Sequence, residues 1–215
     1  MKYQLAVFDL DGTILNTLDD LADSVNQVCK KYNFPVHSNE EIRMMVGNGV
    51  PKLIKRAVPQ NTTEELYKKV LSDFIEYYQA HAAIKTKPYD GILQVMETLK
   101  QKGIKIGVNS NKVHNACVIL CNKYFPGLID IVCGNKPGNS TKPSPDGLNE
   151  IISATAAAAS SCVYIGDSDV DYATSLNGGT DFIGAAWGFR GQEFLRRQGV
   201  TKIAKSCLEL LDFFE

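Results

Sequence analysis

The chain has 215 residues, with 23 lysines and arginines against 24 aspartates and glutamates, which gives a formal net charge of −1. This length accommodates one sizeable domain with a large insertion, or two small domains. A net charge so close to zero creates no overall field for nucleic acid or a membrane, and no apolar stretch approaches the roughly 20 residues of a membrane-spanning helix. We therefore expect neither a nucleic-acid nor a membrane partner.

The cellular location is predicted from the start of the chain and from its cysteines. Met1-Lys2-Tyr3 leads directly into an apolar run without a signal-like segment. The six cysteines are scattered and form no Cys-x-x-Cys pair, which favours reduced thiols over disulfides or zinc. The expectation is a cytoplasmic protein.

The first predicted element is a buried strand over Leu5-Ala6-Val7-Phe8, followed at once by Asp9-Leu10-Asp11-Gly12-Thr13. In open α/β sheets, ligands bind outside the carboxyl ends of the strands, so Asp9 and Asp11 would share one cleft. Two carboxylates that close stay ionised only if a cation or a proton lies between them. Taken alone, the segment is also compatible with an ordinary turn rich in Asp and Gly.

A block of helices is predicted next, over about residues 15 to 85. One helix covers Asp19 to Tyr32. Another begins at the capping box Thr62-Thr63-Glu64-Glu65. Its apolar face is expected to consist of Leu66, Val70, Phe74 and Tyr77. The block would join the rest of the chain through short hinges near 15–17 and 85–88.

Inside this block, Val46-Gly47-Asn48-Gly49 separates two helical stretches. The surrounding segment, Ile42 to Thr63, contains Arg43 and three further basic residues but no acid. As a pattern, this favours a glycine break beside a solvated basic face. The alternative is a surface that meets an anionic substrate.

After the block, strands and helices alternate, and three strand-end or helix-start segments carry polar groups. A strand over 104–109 ends in Ser110-Asn111-Lys112, Lys142-Pro143-Ser144-Pro145 precedes a helix that Pro145 would open, and Cys162-Val163-Tyr164-Ile165 leads into Gly166–Asp171. Lys136-Pro137 is a second Lys-Pro pair, but it lacks the later proline. Lys142 is therefore the preferred candidate lysine.

Together with the first aspartate pair, these segments resemble, in this order, the motifs of the haloacid dehalogenase superfamily of phosphohydrolases. The resemblance implies an α/β fold, with a doubly wound, mostly parallel, Rossmann-like sheet and an inserted α-helical cap. The catalytic core would comprise residues 1–14 and 86–215, and the cap residues 15–85.

The resemblance also implies roles for individual residues. Asp9 would be the nucleophile that takes the phosphoryl group as an aspartyl-phosphate, and Asp11 the general acid and base. Ser110 would hydrogen-bond a phosphoryl oxygen, and Lys142 would balance the negative charge at Asp9. Taken singly, Ser110 could equally be a helix N-cap and Lys142 a solvated loop lysine.

The expected cofactor is Mg²⁺, a hard cation that binds carboxylates, waters and substrate phosphate. The resemblance implies that Asp9, Asp11 through its backbone carbonyl, and Asp167 hold it. Asp171 would lie just outside these ligands, and Asp169 is expected to cap the following helix. Gly12 and Asn111 are expected at the substrate phosphate.

Gly47-Asn48-Gly49, Tyr89-Asp90-Gly91 and Trp187-Gly188-Phe189-Arg190 are similar to segments of the phosphoglycolate phosphatase branch. The similarity implies a small anionic phosphorylated substrate, with phosphoglycolate the best single candidate. Arg43, Gly47 and Asn48 would contact it. A phosphomutase of the β-phosphoglucomutase type, a pyrophosphatase and a non-catalytic sensor of a phosphate ligand stay open as alternatives.

Overall fold

The computed structural model describes residues 2–47 and 49–215. The chain divides into two compact units: Met1–Leu15 with Pro88–Glu215 form the first, and Asn16–Lys87 form the second. We call them the core unit and the helical unit. Their limits lie within two residues of those expected from the sequence.

The regular elements of the described residues are these. The strands are β1 Leu5–Phe8, β2 Leu15–Asn16, β3 Lys87–Pro88, β4 Lys105–Val113, β5 Ile131–Asn135, β6 Cys162–Gly166, β7 Asp181–Ala185 and β8 Ile203–Ala204. The α-helices are α1 Leu18–Lys31, α2 Asn39–Met45, α3 Val50–Ala57, α4 Glu64–His81, α5 Ile92–Gln101, α6 His114–Tyr124, α7 Asp146–Thr155, α8 Asp169–Asn177 and α9 Gly191–Arg197. Two 3₁₀ helices cover Ala159–Ser161 and Leu208–Phe214.

The core unit is built on a parallel sheet in the order β5-β4-β1-β6-β7-β8. β2 and β3, at the limits between the units, form a separate two-stranded sheet. All four side chains of β1 are fully buried, as expected for a central parallel strand covered on both faces. The α/β class and the parallel sheet predicted from the sequence are confirmed.

The strand order places the predicted polar strand ends side by side. β1 pairs with β4 on one side and with β6 on the other, both in parallel. After β1, the chain first adds β4 on one side of β1 and later adds β6 on the other side. The carboxyl end of β1 is therefore a topological switch point of the sheet. The ends of these three strands therefore face a common region within the core unit.

β4 runs four residues further than the strand predicted to end at Asn109. Its pairing with β5 is irregular there, because Asn109 opposes Cys133 whereas Val113 opposes Asn135. The extra residues form a bulge, and a bulge re-aims side chains that regular pairing would alternate across the sheet. Ser110, Asn111 and Lys112 all lie in it.

Two helix starts differ from the sequence prediction by one residue. Pro145 precedes α7 as its N-cap and is not its first residue. Ser168, and not Asp169, caps α8: its hydroxyl accepts from the backbone N–H of Asp171, and the Asp171 carboxylate accepts from the backbone N–H of Ser168. The expectation for Asp169 is therefore wrong, because the reciprocal capping box begins one residue earlier.

The helical unit consists of α1 to α4 around its own apolar core. On α4 the buried residues are Val70, Phe74 and Tyr78, which repeat every four positions along one ridge. Tyr77, predicted for this face, instead stacks on His81 with ring centroids 3.8 Å apart. Thr63 caps α4, one residue after the Thr62 at which the predicted capping box begins: its side chain accepts from the backbone N–H of Leu66.

Asp20 is a buried carboxylate within the helical unit, on α1. It accepts hydrogen bonds from the backbone N–H groups of Lys85 and Thr86 at 2.8–3.1 Å and from the Thr86 hydroxyl at 2.7 Å. These bonds tie the segment before β3 to the first helix of the same unit.

Candidate active site

Lys142 is the centre of the polar cluster at the carboxyl edge of the sheet. Its Nζ lies 2.6 Å from Oδ1 of Asp9 and 2.7 Å from Oδ1 of Asp171. All three side chains are buried. Buried charges are tolerated only when they are paired and hydrogen-bonded, so these three side chains depend on one another. The other candidate lysine, Lys136, pairs with Glu150 on the surface side of α7.

Three buried carboxylates converge beside this lysine. Oxygens of Asp9, Asp167 and Asp171 lie within 4.8 Å of one another. Burial raises the pKa of Asp9 well above its usual value, and the charge of Asp171 raises it further. Burial, together with Asp171, raises the pKa of Asp167 to about 7. The charged forms of Asp9 and Asp167 are therefore destabilised.

The charge of this cluster fits a divalent cation. Among the described residues, Lys142 is the cation paired with these carboxylates, so one positive charge faces three negative ones. Two formal negative charges are then left for a cation to balance. The carboxylate oxygens are the kind of ligand that Mg²⁺ prefers. The cluster contains the two carboxylates expected as ligands, those of Asp9 and Asp167, and also the carboxylate of Asp171, which was expected just outside them.

Asp167 is held in place by Phe189 and Thr13, two residues of the sequence motifs for which no contact with Asp167 was predicted. The backbone N–H of Phe189 donates to Oδ2 at 2.7 Å, and the Thr13 hydroxyl donates to Oδ1 at 3.3 Å. Gly12 was expected at the substrate phosphate, but a Cβ there would lie 2.8 Å from Asp167 Oδ2. A Cβ on Gly188 would come within 2.3 Å of the Asp167 Cβ. The two glycines make room for this aspartate.

Asp171 has hydrogen-bonding partners besides Lys142. Besides the ion pair with Lys142, its other oxygen accepts from the backbone N–H of Ser168 at 3.1 Å and from the Ser168 hydroxyl at 2.6 Å. The Tyr164 hydroxyl lies 3.4 Å from Oδ1. Because the capping box fixes Asp171 on α8, the lysine is fixed with it.

The β4 bulge presents three polar side chains in succession. The Ser110 hydroxyl accepts from the backbone N–H of Lys112 at 3.2 Å. Lys112 Nζ lies 2.9 and 3.2 Å from the two carboxylate oxygens of Asp11. The Asn111 side chain contacts the backbone of Lys142. Lys112 is a site residue that the sequence reading missed; only its place beside Ser110 could have suggested it.

The candidates of the helical unit have different surroundings. Arg43, on α2, pairs with Glu40 of the same helix. Gly47 lies in the turn between α2 and α3. Asn48 lies outside the described residues. In the described part of the chain, none of the helices combines the length and apolarity needed to cross a membrane.

The chain matches the family model of the haloacid dehalogenase-like hydrolases over residues 6–185. This span includes the strand ends, the segment between β5 and α7 that carries Lys142, and the cluster of carboxylates described above. The chain belongs to this family, which confirms the resemblance found in the sequence motifs.

Similar proteins share nearly the full length. Phosphoglycolate phosphatases of Colwellia psychrerythraea and Vibrio parahaemolyticus are each 29% identical to the chain, with 97% of this chain and 95% of the relative covered. A crystal structure from Lactobacillus delbrueckii subsp. bulgaricus, provisionally named a phosphoglycolate phosphatase, is 35% identical, has a TM-score of 0.96, and is matched over 98% of its length and 99% of this chain. These similarities support the expected enzyme class, a phosphoric monoester hydrolase.

Proposed function

We propose that this hydrolase is a Mg²⁺-dependent phosphatase that cleaves a small phosphorylated metabolite, with phosphoglycolate as substrate and glycolate and phosphate as products. The observation that carries the proposal is a buried polar group: Asp9 and Asp167 follow the adjacent strands β1 and β6, and Asp171 of α8 and Lys142 lie beside them. The curated relatives named above are phosphoglycolate phosphatases, which supports this choice of ester.

Asp9 is the proposed nucleophile. A carboxylate oxygen of Asp9 attacks phosphorus, the bond from phosphorus to the ester oxygen breaks, and the phosphoryl group is carried as an aspartyl-phosphate. Asp11 donates a proton to the departing alkoxide, which leaves as an alcohol. Its pairing with Lys112 holds the Asp11 carboxylate at a defined place two residues beyond the nucleophile.

Water completes the turnover. In the second step, Asp11 takes a proton from a water molecule as the water oxygen attacks phosphorus. The bond between phosphorus and Asp9 then breaks, which regenerates the carboxylate and releases inorganic phosphate. The proton that Asp11 gave in the first step is thereby recovered, and the cycle consumes one water for each ester.

Lys142 and Ser110 provide charge and orientation. Lys142 pairs with Asp9 at 2.6 Å, so its ammonium group lies where negative charge accumulates as the ester is attacked. Ser110, at the start of the β4 bulge, is proposed to donate to a phosphoryl oxygen. Phosphoryl transfer depends mainly on such positioning and charge neutralisation.

Asp9, Asp167 and the backbone carbonyl of Asp11 are the proposed Mg²⁺ ligands. When bound, the ion neutralises charge on the substrate phosphate and on the carboxylates. The protein's own contribution is to hold these oxygens in a buried place, through Phe189 and Thr13 in the case of Asp167. The excess negative charge of the cluster supports this assignment.

The test is turnover by the purified protein on phosphoglycolate, pyrophosphate, a hexose phosphate and p-nitrophenyl phosphate, each with Mg²⁺ and with excess EDTA. We expect the highest kcat/KM on phosphoglycolate and no turnover in EDTA. Preference for another ester would refute the substrate, and undiminished turnover in EDTA would refute the metal. A requirement for a bisphosphate activator would indicate a mutase instead.

A further inference from the structure

We infer that Asn111 is a positioning residue that acts through Lys142, rather than a residue that binds the substrate phosphate. The inference rests on the proposed function, because it concerns the same lysine. Asn111 Oδ1 accepts from the backbone N–H of Lys142 at 2.7 Å, and Asn111 Nδ2 donates to the backbone carbonyl of Lys142 at 3.2 Å. The side-chain amide of Asn111 thus pairs with both the backbone N–H and the backbone carbonyl of Lys142.

The pairing connects two parts of the site that are distant in sequence. Asn111 lies in the β4 bulge next to Ser110, whereas Lys142 belongs to the irregular segment between β5 and α7. The side chain of Lys142 is fixed at its far end by Asp9 and Asp171. Asn111 fixes the backbone of Lys142, so both the backbone and the ammonium group of this lysine are held in place.

The amide uses its oxygen and one of its two N–H donors on Lys142. Its oxygen and its nitrogen are each engaged with Lys142, at distances within the ordinary range for N–H to O hydrogen bonds. A substrate phosphate could accept only from the second N–H of Nδ2, and that donor would still be held in the orientation set by the two bonds to Lys142. Asn111 lies where the register of β4 against β5 shifts, directly after Ser110 on the same strand end.

Asn177 offers a matched control. Its Nδ2 donates to the backbone carbonyl of Pro143 at 2.8 Å. Pro143 directly follows Lys142 in the same segment. Asn177→Ala therefore removes an asparagine-to-backbone hydrogen bond at nearly the same place without touching Lys142.

The first measurement is steady-state turnover of p-nitrophenyl phosphate with Mg²⁺. We expect Asn111→Ala to lower kcat by about tenfold to a hundredfold, as misplacement of a catalytic group does, with KM within about threefold of the wild type. Asn177→Ala should keep kcat within about twofold. A kcat of Asn111→Ala within about twofold of the wild type would overturn the inference.

A double-mutant cycle separates positioning from direct contact. If Asn111 acts through Lys142, Asn111→Ala should cost almost nothing more in a protein that already carries Lys142→Ala. If Asn111 contacts the phosphate independently, the two losses should multiply, and that result would overturn the inference.

Hydrogen exchange of the Lys142 amide, followed by NMR, provides a readout that does not depend on turnover. We expect exchange about tenfold faster or more in Asn111→Ala, but unchanged in Asn177→Ala and slow in Asn111→Asp, which keeps the acceptor oxygen. Unchanged exchange in Asn111→Ala would overturn the inference. Failure of the wild type to hydrolyse any ester would instead refute the proposed function, and the exchange rates would then decide on Asn111 alone.

Discussion

The carboxyl edge of the core sheet and the surface of the helical unit hold their charged side chains in different ways. At the sheet edge, Asp9, Lys142 and Asp171 are buried and paired with one another. On the helical unit, the ion pairs Arg43–Glu40 and Lys55–Glu64 lie at the surface. Surface pairs contribute about 0–1 kcal/mol, whereas removing one partner of a buried pair leaves an uncompensated charge.

Burial alone does not distinguish a reactive carboxylate, as Asp9 and Asp20 show. Asp20 is also buried, but both of its oxygens accept hydrogen bonds from Lys85 and Thr86 of the same unit. Asp9 has two further carboxylates and a lysine as neighbours, and its pKa is raised by burial. A carboxylate saturated by neutral donors stabilises a fold, whereas one in a charged cluster with excess negative charge is suited to bind a cation.

Substitution of Asp9 is the strongest test of the idea that the buried charged cluster, unlike the charged side chains of the helical unit, carries the reaction. We expect Asp9→Asn to lower kcat by about 10⁴-fold or more, because the amide keeps the shape of the side chain but cannot attack phosphorus. The measurement is turnover of phosphoglycolate, with circular dichroism to show that the variant is folded. A folded variant that retains a tenth of the wild-type rate would remove Asp9 from the role of nucleophile.

The metal assignment is tested with a pair of neighbouring acids on the β6 side. Asp167→Asn should lower kcat/KM by about 100-fold or more at low Mg²⁺ and should weaken Mg²⁺ binding measured by calorimetry. Asp169→Asn is the control: Asp169 is the half-buried first residue of α8, and it is absent from the buried carboxylate cluster. Equal effects of the two substitutions would show that the cluster does not define a metal site.

In the helical unit, the largest expected effect is on stability. Asp20→Ala removes an acceptor shared by two backbone N–H groups and a hydroxyl, and should destabilise the protein by about 3 kcal/mol. Asp23→Ala breaks only the exposed pair with Lys85 and should cost less than about 1 kcal/mol. Urea unfolding of the full chain measures both. Similar losses for the two variants would contradict the distinction between saturated and exposed carboxylates.

The sequence predicted those parts of the fold and site that depend on local patterns. β1 was predicted with its observed limits, because four consecutive apolar residues before Asp9 indicate a buried strand. The helix over 19–32 corresponds to α1, and the start of α4 was predicted to within one residue. Local periodicity and capping determine these elements, so a single segment contains the necessary information.

The contacts between distant segments could not be predicted in this way. Lys112 reaches Asp11 across 101 positions, and Phe189 reaches Asp167 across 22. The first contact depends on the pairing of β1 with β4 and on the β4 bulge, and the second joins the segments that follow β6 and β7. No local pattern of this chain indicates either contact. The register error at Tyr77 has a different cause: at helical spacing Tyr77 and Tyr78 are both compatible with the face of Phe74, and packing in the unit selects Tyr78.

The smallest expected effect concerns substrate preference and the surface of the helical unit. We propose that Arg43 recognises the carboxylate of phosphoglycolate, in which case Arg43→Ala should lower kcat/KM for that ester by about tenfold, the scale of one charge-assisted hydrogen bond. Turnover of p-nitrophenyl phosphate, which has no carboxylate, should be unchanged. Lys52→Ala is the control, because Lys52 is an exposed basic residue of the same segment, Ile42 to Thr63. It should leave the turnover of both esters unchanged. Equal losses on both esters, or no loss at all, would leave Arg43 as a surface cation paired with Glu40, and discrimination between esters would then have to come from other residues.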